Sequence, residues 1–189
     1  MTWSLSYLPP RESELLDALF LSAGRSLHLA NTFEMKCRWI LRCINLLRTY
    51  EKADPVATLE DLIAALPADE MLGRTLGYLT KHMSCSTENL YVLQQAREAR
   101  NFIAHEGASV GFIHSVHEKQ IFEHVSRLRS AVSHLAAGDN VISQWGYHLE
   151  EPHEHLPRDL IEAYVGMIDD WVFGHFGDLL DETVVPPER

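Results

Sequence analysis

The sequence predicts an all-α bundle of about six to seven helices, in a single domain spanning residues 1–189. Apolar residues recur at spacings of three and four along most of the chain, the period of a helix that buries one face. Short breaks containing Pro, Gly or Asp separate the segments so marked. The hydrophobic share of 46% is enough for a core in 189 residues, and 23% charged residues is below what keeps a chain disordered.

Ser13 to Ala23 reads as a first short helix, set off by Pro9-Pro10 before it and Gly24 after it. The strongest segment runs from Ser26 to Glu51. Phe33, Cys37, Ile40, Ile44 and Leu47 form its buried stripe. Asn31, Glu34, Arg38, Arg42 and Asn45 form a polar one, on which Glu34 can pair with Arg38 a turn later. Asp54-Pro55 ends this helix. Thr58 then caps a short one that has Glu60 and Asp61 in its first turn and closes at Pro67.

Asp69 to Met83 is a further helix, weakened by Gly73 and Gly77. Ser86 or Thr87 caps the next, which is expected to stop at Gly107. Val110 to Ile113 fits strand or loop. His117 to Ala137 is helical through Ile121, Val125, Leu128, Val132 and Leu135, with a break expected at Gly138-Asp139-Asn140. An irregular acidic segment, 147–156, precedes a final helix that Pro157 opens. Leu160, Tyr164, Ile168, Trp171 and His175 share a face of it until Gly177, and the tail 178–189 is expected to fray.

The net charge of −11 argues against a general nucleic-acid coat. Its distribution is uneven. Residues 1–105 carry 11 Lys and Arg against 12 Asp and Glu, whereas residues 106–189 carry 5 against 15. Of the 16 basic residues 12 are Arg, the side chain suited to bidentate phosphate contacts. An Arg-lined cleft in the first part of the chain, with the acidic part turned to solvent or to a basic partner, is the functional form of this pattern. Cys37, Cys43 and Cys85 leave one thiol unpaired under any bridging scheme, which suits a reducing cytoplasm. The first ten residues lack the basic and apolar regions of a signal peptide, and no apolar run approaches the ~18 residues of a membrane span.

Chemistry concentrates in Arg100-Asn101-Phe102-Ile103-Ala104-His105, at the end of the helix that Ser86 or Thr87 opens. On a helical wheel Val92, Ala96, Ala99 and Ile103 form its buried face, and Arg97, Asn101 and His105 lie opposite them. Arg100 sits at the border, where its stem can pack while its guanidinium reaches the same surface. The last turn places His105 where the helix dipole favours an imidazolium. An arginine that binds phosphate beside a histidine that moves protons points to phosphodiester chemistry.

Arg-Asn-Phe-Ile-Ala-His resembles the Arg-(Asn/Asp/His)-x3-His signature of HEPN domains, small all-α proteins of toxin–antitoxin, abortive-infection and CRISPR-associated systems. The resemblance covers these six residues, with the helical pattern around them as looser support. It implies a HEPN-like bundle and a homodimer that joins two motifs in one cleft. It also implies a metal-independent endoribonuclease without cofactor. Carried over by position, Arg100 is the motif arginine, Asn101 the polar residue after it and His105 the histidine. Some toxins of the family carry Tyr two residues after the histidine, where a partner enzyme modifies them. Gly107 stands there in this chain, which puts that mode of neutralisation in doubt.

The expected substrate is single-stranded RNA, contacted also by Arg97, Arg38 and Arg42, with an antitoxin or other regulatory protein as a possible partner. The alternative is a non-catalytic helical module of the same fold that binds a partner protein or nucleotide. A transcriptional regulator is weaker, because no basic recognition helix is visible. His148, Glu150, Glu151, His153, Glu154 and His155 form an imidazole–carboxylate cluster of irregular spacing, better read as a solvated loop than as a metal site. His114 and His117, three apart, with Glu123 and His124 after them, are weaker still as a metal site, since isolated His pairs rarely suffice. Arg127 and Arg129 are candidates for auxiliary RNA contacts. The four tryptophans, Trp3, Trp39, Trp145 and Trp171, are expected in core or interface, and Cys37 is expected to act as a small hydrophobe.

Overall fold

The longest apolar stripe of the sequence becomes the longest helix. In a computed structural model, which describes residues 10–83, 85–111 and 114–182, the regular elements are six helices and no strand. They are α1 (Ser13–Lys52), α2 (Leu59–Ala64), α3 (Leu72–His82), α4 (Thr87–Glu106), α5 (Glu118–Glu150) and α6 (Arg158–Glu182). The all-α expectation stands, while several boundaries move. Trp3, Phe112, Ile113 and the tail beyond residue 182 lie outside the described residues.

The helices expected at 13–23 and 26–51 are one helix of 40 residues, about 60 Å long at 1.5 Å per residue. Gly24 does not interrupt it. A helical glycine costs about 0.5–1 kcal/mol relative to alanine. Here Leu16, Leu19, Ala23, Ala30 and Phe33 bury a continuous stripe past it. Helix α6 also holds both of its flanks. Ser22 Oγ donates to the Val172 carbonyl at 3.0 Å, and Arg25 Nη1 donates to the Trp171 carbonyl at 2.6 Å. The buried stripe ends at Ile44, and Leu47, expected on it, is 56% exposed.

Helix α5 is the centre of the bundle and packs on α4, α1 and α6. It runs unbroken through Gly138-Asp139-Asn140, where a stop was expected. These turn-forming residues serve interhelical contact instead. A Cβ on Gly138 would lie 2.2 Å from Ala96 Cβ, so the missing side chain is what lets α4 and α5 approach. The Asp139 side chain is fully buried, and its Oδ2 accepts from Lys36 Nζ at 2.7 Å and from the Tyr164 hydroxyl. Lys36 also donates to Ser143 Oγ at 3.0 Å, and Asn140 Nδ2 donates to the Ile161 carbonyl at 2.8 Å. One polar knot thus ties α1, α5 and α6 together.

The acidic segment is shorter than expected, since 147–150 belong to α5. Helix α6 continues past Gly177 to Glu182. Thr58 caps α2 as expected, in a reciprocal box with Asp61. One apolar cluster runs from Leu16 to Phe176 and draws residues from α1, α3, α4, α5 and α6. Trp145 is inside it, whereas Trp39 and Trp171 are each 42% exposed and so are not core residues. Among the described residues no helix is long and apolar enough to cross a membrane.

Adding one methyl group at two glycines has opposite expected effects. Gly138→Ala must push α4 from α5 and is expected to destabilise by about 1–3 kcal/mol. Gly24→Ala meets nothing within 4 Å, so a gain of about 0.5–1 kcal/mol is expected from the stiffer unfolded chain and better helix propensity. Urea unfolding of both variants measures this, and a stabilised Gly138→Ala contradicts the close approach.

Burial, and then the hydrogen bond to the Asp139 carboxylate, push the Tyr164 phenol well above its usual range. Its folded value therefore exceeds the unfolded one, so the stabilisation is whole below about pH 10 and fades as pH rises further. Wild type is expected to exceed Tyr164→Phe by about 1–3 kcal/mol at pH 7. That gap should narrow above pH ~10, and a constant gap in unfolding experiments across that range would contradict the bond to Asp139.

Candidate functional site at the crossing of α1 and α4

Helix α4 starts at a side-chain cap, Ser86 Oγ accepting from the Asn89 amide at 3.1 Å. Leu93, Ala96, Ala99 and Ile103 are its buried residues. Leu93 thus takes the place expected of Val92, which is half-buried. Arg97, Asn101 and His105 are exposed on the far side, as their spacing required.

Arg100 sits at the border and turns toward α1. Its Nη2 donates to Glu34 Oε2 at 2.5 Å, and its Nη1 donates to Asn101 Oδ1 at 3.3 Å. The other Glu34 oxygen, Oε1, accepts from Arg38 Nη2 at 2.5 Å. One carboxylate, with its side chain 15% exposed, therefore holds two guanidinium groups. The trio carries a net positive charge. The Nε atoms of Arg38 and Arg100 are buried without a hydrogen-bond partner among the described residues.

Helix α5 fixes the end of α4 around His105. His124 is buried, and its Nε2 donates to the Gly107 carbonyl at 2.8 Å. Arg127 lies 5.1 Å from the Phe102 ring centroid and 3.5 Å from Glu106. Helix α4 ends at Glu106 with Gly107 as its C-cap, the stop expected, and Gly107 is right-handed there, with φ −53°. The left-handed turn comes four residues later at Gly111, φ 88°. His105 stays exposed between these anchored neighbours. Among the described residues no hydrogen bond joins it to Arg100.

The structure thus brings Arg100, Asn101 and Arg38 together through Glu34, but divides the expected Arg-lined cleft. Arg38 and Arg42 line a cavity of about 490 Å³ beside α3. Arg97 faces a different one, of about 300 Å³, with Gly73, Gly77 and Leu93. Arg127 and Arg129 do not form a shared basic face. Arg129 turns away to α6, where its Nε donates to Asp169 Oδ1 at 2.7 Å. His117 serves as the N-cap of α5, bonding its Gln120, and His124 is occupied with Gly107. His148 and His155 border a surface hollow beside Arg158. Cys37 is buried as expected, and burial, then the Asp139 and Glu34 carboxylates, push its thiol up.

The decisive residue missed by sequence reasoning is Glu34 as the partner of Arg100. The two are 66 positions apart. The available signal was a lone acid ahead of Arg38 and Arg42 on the polar stripe of α1, and it revealed only the Arg38 half of the arrangement.

No protein-family model, curated protein sequence or solved structure matches this chain.

Removing the Glu34 charge leaves two part-buried guanidinium groups facing each other. Glu34→Gln is expected to lower stability by about 1–3 kcal/mol. A double-mutant cycle of Glu34→Gln with Arg100→Gln in urea unfolding reads the coupling, and additive effects would contradict the ion pair.

Proposed function

We propose that this chain is a metal-independent endoribonuclease of the HEPN type, cleaving single-stranded RNA in a toxin–antitoxin or defence context, as a cytoplasmic homodimer. The observation that carries the reading is the Glu34 carboxylate holding Arg100 against Asn101, one to two turns before an exposed His105. A guanidinium fixed in this way is pre-organised, and the second N–H of each Nη, not the buried Nε, is left to meet phosphoryl oxygens as charge grows on them. The anchored last turn of α4 does the same for His105.

In the proposed step the ribose 2′-oxygen attacks the adjacent phosphorus while an imidazole takes its proton. The P–O5′ bond breaks, leaving a 2′,3′-cyclic phosphate, and a second imidazole protonates the departing 5′-oxygen. Each chain has one His105, so the second comes from the partner motif of a dimer. Arg100 stabilises the phosphorane charge, and Asn101 orients the histidine or the substrate. Arg38, beside Arg100 at Glu34, and then Arg42 extend the positive surface along α1, while Arg97 meets RNA on the outer face of α4.

A second reading, a binding module without catalysis, is favoured by the same ion pair, because Glu34 already neutralises much of Arg100. The two separate in one experiment. Purified protein should cut single-stranded RNA in the presence of EDTA, and His105→Ala should lose about 10²–10⁴-fold in rate, with a comparable loss for Arg100→Ala. Equal cleavage by wild type and both variants removes the enzyme reading. RNA bound but uncut by folded wild type favours the binding module.

A further inference from the structure

The cavity between α1 and α3 contains cations that nothing in the α4 site uses. Its volume, about 490 Å³, is in the range of small-ligand sites. Arg48 and Lys81 project from its two helical walls, with His82 beside them. Two acids also border it, but both are turned to other cations. Asp69 Oδ1 lies 3.8 Å from Arg42 Nε, and Glu70 Oε2 lies 3.2 Å from Arg74 Nη1. Arg38, on the same side, is taken by Glu34. Among the described residues neither Arg48 nor Lys81 has a carboxylate at ion-pair distance. In a chain of net charge −11 this is a local surplus of positive charge inside a concavity.

The contact between Arg48 and His82 is itself unsatisfied. Nη1 of Arg48 is 3.0 Å from His82 Nε2, and Nη2 is 2.9 Å from Nδ1. Guanidinium nitrogens only donate, and a neutral imidazole has one acceptor nitrogen, so one of these two contacts sets donor against donor. Partial burial, then the Arg48 and Lys81 charges, hold the His82 imidazole below its usual range. An anion seated here accepts from all three groups and removes the conflict.

We propose that this cavity binds a phosphomonoester, its phosphate held by Arg48, Lys81 and His82. Three donors lining one cavity suit the roughly −1.5 to −2 charge of a monoester near pH 7 better than the single charge of a diester. Tyr78, 46% exposed on the same wall, offers a ring face to whatever the phosphate carries. The site goes beyond the ribonuclease reading and does not require it, although Arg38 and Arg42 border both surfaces.

Calorimetry on the full chain at pH 7.5 tests the assignment, with phenyl phosphate as the probe. Saturable binding is expected, weakened about tenfold or more in Arg48→Gln and in Lys81→Gln, as loss of a charge-assisted hydrogen bond implies. Both side chains are exposed, so the variants should fold, and circular dichroism checks that they do. A second titration compares 5′-phosphorylated with 5′-hydroxyl RNA oligonucleotides. Tighter binding of the phosphorylated oligonucleotide than of its 5′-hydroxyl counterpart identifies an RNA end as the source of the phosphate. Equal binding of the two oligonucleotides, with phenyl phosphate still bound through Arg48 and Lys81, identifies a small molecule. Undetectable binding of both phosphomonoesters, or equal affinity in wild type and both variants, overturns the proposal. His105→Ala should bind phenyl phosphate as wild type does, so failure of the cleavage reading and failure of this one are told apart.

Discussion

Burying a carboxylate in a helical bundle is unfavourable unless cations and donors meet it there, and this chain buries two against one stretch of α1, Glu34 on α1 itself and Asp139 on α5. Asp139 is enclosed entirely and answered by Lys36 and Tyr164. Glu34, two residues before Lys36, is largely enclosed and answered by Arg38 and Arg100. Phe33 lies beside both networks and is fully buried. Charge pairing thereby sets how α1 meets α4, α5 and α6, where apolar contact alone would tolerate sliding.

The position of the motif follows from that arrangement. Gly138 admits Ala96 into the α4–α5 contact. Arg100 is one turn beyond Ala96, on the side of α4 that reaches Glu34. From there His124 and Arg127 of α5 secure Gly107 and Glu106 at the end of α4. The exposed His105 is thus carried on a turn whose neighbours are held from two helices. Rigid support around an accessible side chain is what a site needs, whichever chemistry it performs.

The basic residues of this acidic protein divide into two kinds. Arg38, Arg74, Arg100 and Arg129 have carboxylate partners and contribute to architecture. Arg48 and Lys81 have none among the described residues and face a cavity. Uncompensated positive charge in a concave, partly apolar setting acts on a ligand more strongly than the same charge on an open face. The contrast matters more than net charge does, because a total of −11 conceals it.

Helical periodicity was legible because it is local. The stripe from Phe33 to Ile44, the Thr58 cap and the exposed row of Arg97, Asn101 and His105 depend only on residues a few positions apart. Gly24 and the Gly138-Asp139-Asn140 run misled for the same reason. Their local preference is for a turn, but contacts with Val172, Ala96, Lys36 and Tyr164 outweigh it. The sequence by itself determined an all-helical chain and which face of α4 is wet. Only the tertiary structure decided that Glu34 meets Arg100, that Arg97 parts from Arg38, and that Arg48 gathers with Lys81 and His82. Those groupings join residues 33 or more positions apart, and helical spacing carries no information about which faces will meet once several helices pack.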